Sequence, residues 1–341
     1  MARSMPSAIC TDFGKPNSKR KKPKERGFLA LFFSLGLLYH KTIMRKTPYA
    51  FRLYLSFFLV ALSIVLTIVL NHTNSLLQDP KTTGEDFLSS MPYIQWGDFI
   101  LIQPSSTFFV YFLGLVLIVL GCYLIQTAKG NKSRLDYGIG YALWGVSAIL
   151  AGTSYQAFGY ELKYAGRSYG LFTSVFELLY MITTAEAILY LLAGTSYYAT
   201  TNPKIQKALP YVAIAYGLIY GIVFLIGVAL PIQTIVTYLF FVAFFAPAFI
   251  LMLILNIARF AHQKDVLDRN MLISWGLFAL ANILYFIAYF SGFPTAIYKA
   301  SGFWFNENDI LHVSMTVWVI ATFFLLRKEL KDNNEMLARN V

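Results

Sequence analysis

The sequence is poor in charge and in cysteine. Only 13% of its 341 residues are charged, whereas 57% are apolar, and the mean hydropathy is +0.57. Soluble globular domains are about one quarter charged, so this composition excludes that class and indicates an integral membrane protein. Cys10 lies in a polar tail and Cys122 in an apolar run, so no disulfide between them is expected.

Several classes of membrane protein are disfavoured by residues that the chain lacks. The last apolar segment, 309–326, contains no lysine that could form a retinal Schiff base. Of four histidines, His312 alone lies inside a long apolar segment, so haem ligation by two facing histidines is also disfavoured. No glycine-rich phosphate loop, cysteine-pair metal motif or nucleophile elbow is found.

Apolar runs of about 20 residues, the length that crosses the hydrocarbon core of a bilayer, occur eight times. The shorter apolar run at 27–39 is predicted to lie at the membrane interface. The fold class predicted is therefore all-α, a polytopic transmembrane bundle with a seven-helix core preceded by one signal-anchor helix. The predicted spans are 49–70, 106–126, 137–158, 169–193, 208–230, 233–258, 271–290 and 309–326.

Basic residues predict the orientation of this bundle. The net charge of +11 includes a dense basic run at 15–26, and lysine and arginine recur in alternate loops on the same side. Both termini are therefore predicted to be cytoplasmic, and the basic run is explained without nucleic acid as a partner. The predicted domains are a basic tail with the interfacial segment (1–48), the anchor helix (49–70), an outer linker (71–105), the membrane core (106–326) and a cytoplasmic tail (327–341).

Polar side chains inside apolar segments are the candidate functional residues, because a carboxylate in the middle of the bilayer costs about 2.5–3.5 kcal/mol. Glu177 and Glu186 lie in the fourth span, nine residues apart and so on opposite helix faces. Ser154, Gln156, Tyr160 and Glu161 gather at the outer end of the third span and are candidate ligand-binding residues. Alternatively, Glu177 and Glu186 could each have a structural role, with hydrogen bonds to a neighbouring helix.

Asp309 and His312 form the other candidate pair, at the outer start of the last span. Their spacing of three residues puts both on one helix face, where a carboxylate can orient an imidazole. The predicted catalytic residues are His312, Asp309 and Glu177. The alternative is that Asn306, Asn308 or Asp309 caps the helix and His312 bonds a nearby carbonyl.

The segments GTSYQAFGYELK, FELLYM and NDILHVSMTVW together resemble the alkaline ceramidase-like, or CREST, membrane hydrolases. That resemblance implies a seven-helix fold, a lipid amide or ester as substrate, and zinc held by histidines on core helices two and seven. The family has a Ser-x-x-x-His pair on core helix two and a His-x-x-x-His pair on core helix seven. Ser154 matches the serine and His312 one of the helix-seven histidines, but Phe158 and Thr316 stand four residues later, where histidines are expected. Zinc is therefore possible but disfavoured, no cofactor is predicted and no metal-ligating residue is assigned.

Three functional classes remain open. A lipid hydrolase would use the outer cluster of polar residues. A transporter or channel would use Glu177, Glu186, Asn256 and Asn282 as a polar path. A receptor or assembly factor would use the bundle as a scaffold. The partners predicted are the lipid bilayer and a lipid or other small molecule, and no protein partner is identified.

Overall fold

The computed structural model describes residues 76–200 and 202–332, with scattered positions between 58 and 70. The basic tail predicted over 1–48 lies outside the described residues, and so do residues 333–341 and most of the anchor predicted over 49–70. The positions described between 58 and 70 are helical.

Seven helices of 20 residues or more run through the described part of the chain, with short helices and one β-hairpin between or before them. The short elements are α1 (Gly84–Ser89), β1 (Tyr93–Trp96), β2 (Phe99–Ile102), α4 (Gly159–Lys163) and α9 (Phe293–Ser301). The long helices are α2 (Pro104–Gln126), α3 (Lys132–Ala151), α5 (Val175–Ala199), α6 (Pro203–Ala229), α7 (Tyr238–Gln263), α8 (Val266–Ser291) and α10 (Glu307–Leu326).

Six of the described helices, α2, α5, α6, α7, α8 and α10, are long and apolar enough to cross a membrane. This confirms the predicted class, an α-helical multi-pass membrane protein. Helix α3 is not among the six, because Lys132, Arg134 and Asp136 occupy its first turns. The seven-helix membrane core, the anchor helix and the domain boundaries stay predictions.

The helix starts follow from capping residues in the sequence. Each of six helices begins after a residue whose side-chain oxygen accepts a hydrogen bond from a backbone N–H two or three residues later, which satisfies a donor left free at a helix start. Ser174 caps α5 in this way, so that helix begins at Val175 although the apolar run predicted a start near 169. The six caps are Asn131, Ser174, Asn202, Thr237, Asp265 and Asn306.

Helices α2 and α3 pack with their backbones in contact, because glycines occupy their interface. A Cβ built on Gly145 would lie 2.5 Å from the carbonyl oxygen of Gly114, and one on Gly121 would lie 2.6 Å from that of Gly138. Small residues allow this approach in membrane bundles, where dispersion contacts replace the hydrophobic effect between helices.

The segment predicted as an outer linker, 71–105, contains α1 and the hairpin where it is described. Strands β1 and β2 pair antiparallel, with Tyr93 opposite Ile102 and Trp96 opposite Phe99. Gly97 has a φ of 61°, a left-handed conformation that suits the two-residue turn between them. The hairpin leads through Gln103 directly into α2.

Helix α5 lies at the centre of the described helices. In its most apolar stretch 72% of residues are buried, more than in any of the other five candidate spans. It packs against α3, α6 and α7. Side chains on α5, including Glu177, are therefore enclosed by protein.

Candidate functional site

Ser154 and Glu177 lie in a buried polar cluster at the start of α5. A π-helical turn at Gly152–Ala157 continues α3, and such turns are frequent at functional sites. The Ser154 hydroxyl oxygen lies 2.5 Å from that of Ser174 and donates to Glu177 Oε1 over 3.1 Å. Glu177 also forms an ion pair with Lys163. Because both serines and Glu177 are at most 5% exposed, these groups satisfy one another inside the protein.

Lys163 completes this cluster from the end of α4. Its ammonium lies 5.0 Å from the ring centroid of Tyr155, a cation–π distance. Burial, and then the negative charge of Glu177, raise the pKa of the nearby Tyr164 above its usual value. Lys163 was not predicted as a site residue, although its position at the end of the GYELK segment, next to the candidate residues Tyr160 and Glu161, could have indicated it.

The other three predicted ligand-binding residues have different surroundings. Glu161 accepts a hydrogen bond from the backbone N–H of Ile100 over 2.8 Å and so joins α4 to the hairpin. Tyr160 stacks on Tyr164, with ring centroids 6.3 Å apart. Gln156 is 4% exposed, and its Oε1 has no hydrogen-bond partner among the described residues.

Asp309 forms a capping box at the start of α10. Its backbone N–H donates to Asn306 Oδ1 over 2.9 Å, and its Oδ2 accepts from the Asn306 backbone N–H over 3.0 Å. Ser105 at the start of α2 also donates to Oδ2, over 3.2 Å. Asp309 therefore fixes the helix start and ties it to α2, which is the capping alternative raised by the sequence.

His312 is not hydrogen-bonded to Asp309, the carboxylate expected to orient it, or to the other candidate residues Gln156, Tyr160 and Glu177. Asp309 Oδ2 accepts the hydrogen bonds of the cap and of Ser105, whereas Oδ1 is buried and has no hydrogen-bond partner among the described residues; Glu177 belongs to the cluster around Ser154. The Nδ1 atom of His312 is buried and has no hydrogen-bond partner among the described residues. The candidate residues predicted at the outer ends of the third and last spans thus lie in three different surroundings.

His312 instead lines a cavity of about 420 Å³ in the middle of the bundle, here called the His312 cavity. Most of its lining is apolar and comes from six helices: α2, α3, α5, α7, α8 and α10. Three polar side chains of the lining, Ser147, Thr184 and Asn282, donate to backbone carbonyls of their own helices. Their hydrogen-bonding capacity is therefore already partly used.

Trp275 provides a second free polar atom in the same lining. Its indole Nε1 is buried and, like His312 Nδ1, has no hydrogen-bond partner in the described part of the chain. Trp275 was not predicted as a site residue from the sequence. Its position could have indicated one, because tryptophan in membrane proteins favours the interfaces, whereas Trp275 lies inside a span.

The four residues of the predicted transport path do not form one cluster. Asn256 accepts from the Tyr198 hydroxyl over 3.0 Å, whereas Asn282 lines the His312 cavity. Glu177 is paired with Lys163, and Glu186 is partly buried on α5. Near Asn256, the buried Arg259 pairs with Asp268 over 3.2 Å and with Asp265 over 3.1 Å.

The zinc site implied by the CREST resemblance does not fit the residues that the structure describes. No group of three or more His, Cys, Asp or Glu side chains within 76–200 and 202–332 lies close enough to hold a metal ion. His312 has apolar neighbours, and the carboxylates of Asp309 and Glu177 have other partners.

Comparison with protein-family models, with curated proteins and with solved structures gives no match to this chain. The class of the protein therefore follows from its own structure. It is an integral membrane protein with a helical bundle, and six of its helices line an apolar cavity.

Proposed function

We propose that this protein binds an amphipathic, lipid-like ligand inside its helical bundle. The apolar body of the ligand occupies the His312 cavity, and polar groups of the ligand bond to His312 and, further along the bundle axis, to Trp275. One observation carries the proposal: two residues that line one apolar cavity, His312 and Trp275, each have a buried nitrogen atom, Nδ1 and Nε1, without a hydrogen-bond partner among the described residues.

The size and chemistry of the cavity support this proposal. A volume of about 420 Å³ falls within the range of small-molecule sites, about 300–1,000 Å³, which are mostly apolar with a few polar groups. A buried polar atom without a partner costs about 1–3 kcal/mol. A ligand with a carbonyl, hydroxyl or amide group would recover that cost, because indole N–H is a donor and imidazole can donate or accept.

A lipid hydrolase is the second candidate, and it rests on the resemblance to the CREST family. Ser154, which carries part of that resemblance, is hydrogen-bonded to Glu177 in a π-helical turn. Binding is preferred over hydrolysis for two reasons. Ser154 and Glu177 are not in the lining of the His312 cavity, and within the described part of the chain His312 Nδ1 has no hydrogen-bond partner. The ligand class is accordingly a lipid amide, which the protein binds without hydrolysing it.

The test is binding of a fluorescent N-acyl amide to the full chain in lipid nanodiscs. His312→Leu and Trp275→Phe should each weaken binding about two- to tenfold, because one hydrogen bond contributes about 0.5–1.5 kcal/mol. Both variants keep a side chain of similar shape, so the fold should persist.

His262→Leu and Trp96→Phe are the matched controls, since both residues are exposed and lie outside the His312 cavity. They should bind the probe as the wild type does. Wild-type binding by both His312→Leu and Trp275→Phe would reject the proposal. Release of free fatty acid from the probe, lost in Ser154→Ala, would favour the hydrolase instead.

A further inference from the structure

A second, smaller cavity lies next to the His312 cavity. Its volume is about 30 Å³, roughly the share of one water molecule in the liquid. Ser274 is one of its lining residues, and the space is here called the Ser274 cavity. The four residues common to both linings are aromatic: Trp144, Phe249, Trp275 and Phe278. These four side chains lie in the linings of both cavities and are here called the aromatic partition.

The order of lining residues along the helices shows how the cavities are stacked. On α10 the His312 cavity touches 311, 312 and 315, and the Ser274 cavity touches 318, 322 and 326. On α8, which runs the opposite way, the order is reversed, from 286 down to 271. The same displacement occurs on α3 and α5. The Ser274 cavity therefore continues the His312 cavity along the bundle axis, beyond the aromatic partition.

Phe278 is the central ring of the aromatic partition. Its ring centroid lies 5.3 Å from that of Phe249, 6.0 Å from that of Trp275 and 6.2 Å from that of Trp144. Aromatic rings at such distances form a packed layer. Removing the Phe278 ring should join the two cavities.

The far end of the Ser274 cavity suits an apolar chain. Three of its polar side chains lie at this end: Ser274 and Thr322 bond to each other, with hydroxyl oxygens 2.6 Å apart, and Trp318 donates to the Ser274 carbonyl over 3.0 Å. Their polar atoms are thus already paired. The remaining lining includes Leu191, Met252, Met271 and Leu326, which are apolar.

We infer that the aromatic partition sets the maximum chain length of the ligand, an inference that rests on the proposed function of the His312 cavity. A ligand held at His312 by its polar group directs its chain through the His312 cavity toward the aromatic partition, and the packed rings stop chains that exceed the available space. The ligand class is accordingly a single-chain amphiphile with a length limit.

The experiment measures binding of N-methyl alkanamides, from hexanoyl to octadecanoyl, to the full chain in nanodiscs by displacement of the fluorescent N-acyl amide. In the wild type, each added methylene should tighten binding about fourfold, because a buried methylene contributes about 0.8 kcal/mol, until the limit is reached. Beyond the limit, binding should weaken.

Phe278→Ala should move this limit to longer chains, because the Ser274 cavity becomes accessible. Phe278→Leu, which keeps a branched apolar side chain and a packed core, should move it less and in the same direction. Adding Met271→Phe to Phe278→Ala fills the Ser274 cavity and should restore the wild-type limit. Met271→Phe alone and Phe290→Ala, at a residue 77% exposed on α8, should leave the wild-type limit unchanged.

An unchanged limit in both Phe278 variants would overturn the inference, and so would a shift that Met271→Phe fails to reverse. These results leave the proposed function standing if binding still depends on His312. Failure of every alkanamide to bind the wild type would instead reject the proposed function, so the two failures are distinguishable. Thermal unfolding of each variant confirms that it is folded.

Discussion

Arg259 is a basic residue of the bundle of which only 5% is exposed. Its guanidinium pairs with Asp268, which is fully buried, and with Asp265. It also donates to the backbone carbonyl of Tyr198 at the end of α5. One side chain thus ties α5, α7 and α8 together at the end of the bundle away from His312.

Loss of this arginine should be costly. Arg259→Met leaves the carboxylate of Asp268 buried without its charge partner, and such a loss typically destabilises by about 3–5 kcal/mol. Thermal unfolding in detergent measures the effect. The matched control is Lys207→Met, which removes an exposed positive charge from α6 and should change stability by less than about 0.5 kcal/mol. Equal stability of the two variants would contradict a structural role for the Arg259 pairs.

Asp309 and His312 show the limit of residue-level prediction. Their spacing places both on one face of α10, and the sequence offered two interpretations of Asp309, as a partner of His312 or as a cap. The structure has the cap. Helix spacing shows that Asp309 and His312 are neighbours on α10. It does not show that Asn306, before α10, and Ser105, on α2, are the hydrogen-bond partners of Asp309.

At the scale of the element, glycines decide how closely α2 and α3 approach. Gly145→Ala should destabilise by about 1–3 kcal/mol, because the added Cβ would lie 2.5 Å from the Gly114 carbonyl oxygen and the helices must separate. Gly276→Ala on α8 is the control, since no atom lies within 4 Å of its added Cβ. That substitution should be neutral or stabilise by about 0.5–1 kcal/mol through helix propensity. Opposite signs in thermal unfolding are expected; destabilisation of both variants to the same extent would contradict this account.

Helix positions followed from the sequence more closely than helix ends. The spans predicted at 106–126 and 309–326 correspond to α2 (Pro104–Gln126) and α10 (Glu307–Leu326). The span predicted at 169–193 is displaced from α5 (Val175–Ala199), because the cap at Ser174 determines the start. The π-helical turn after α3 was not predicted, since it depends on the packing of this segment against its neighbours.

At the scale of the whole molecule, the orientation in the membrane stays a prediction with a direct test. Reporter tags at residue 3, within 127–136 and after Val341 should all be cytoplasmic, and a tag within 75–95 should be on the outer side. The reason is the bias of lysine and arginine toward alternate loops. A C-terminus on the opposite side from residue 3 would overturn the eight-span topology.

The metal content of the purified protein is a second property of the whole chain that can be measured. We expect less than one zinc ion per chain by elemental analysis, because only one histidine lies in a long apolar segment and zinc catalysis normally needs three protein ligands. A His312→Leu sample serves as the control for adventitious metal. A reproducible one-to-one zinc content that falls in this variant would contradict the expectation and favour the hydrolase.

The amino-acid sequence by itself determined the class of the protein and the approximate positions of most long helices. Apolar runs and capping residues act within a few turns of chain, so these features can be recognised without knowing the neighbours. The tertiary structure alone decided which polar atoms are paired. His312 and Trp275 are 37 positions apart in the chain, and they line one cavity because six helices pack around it. Such a site depends on helix packing, which no local pattern encodes.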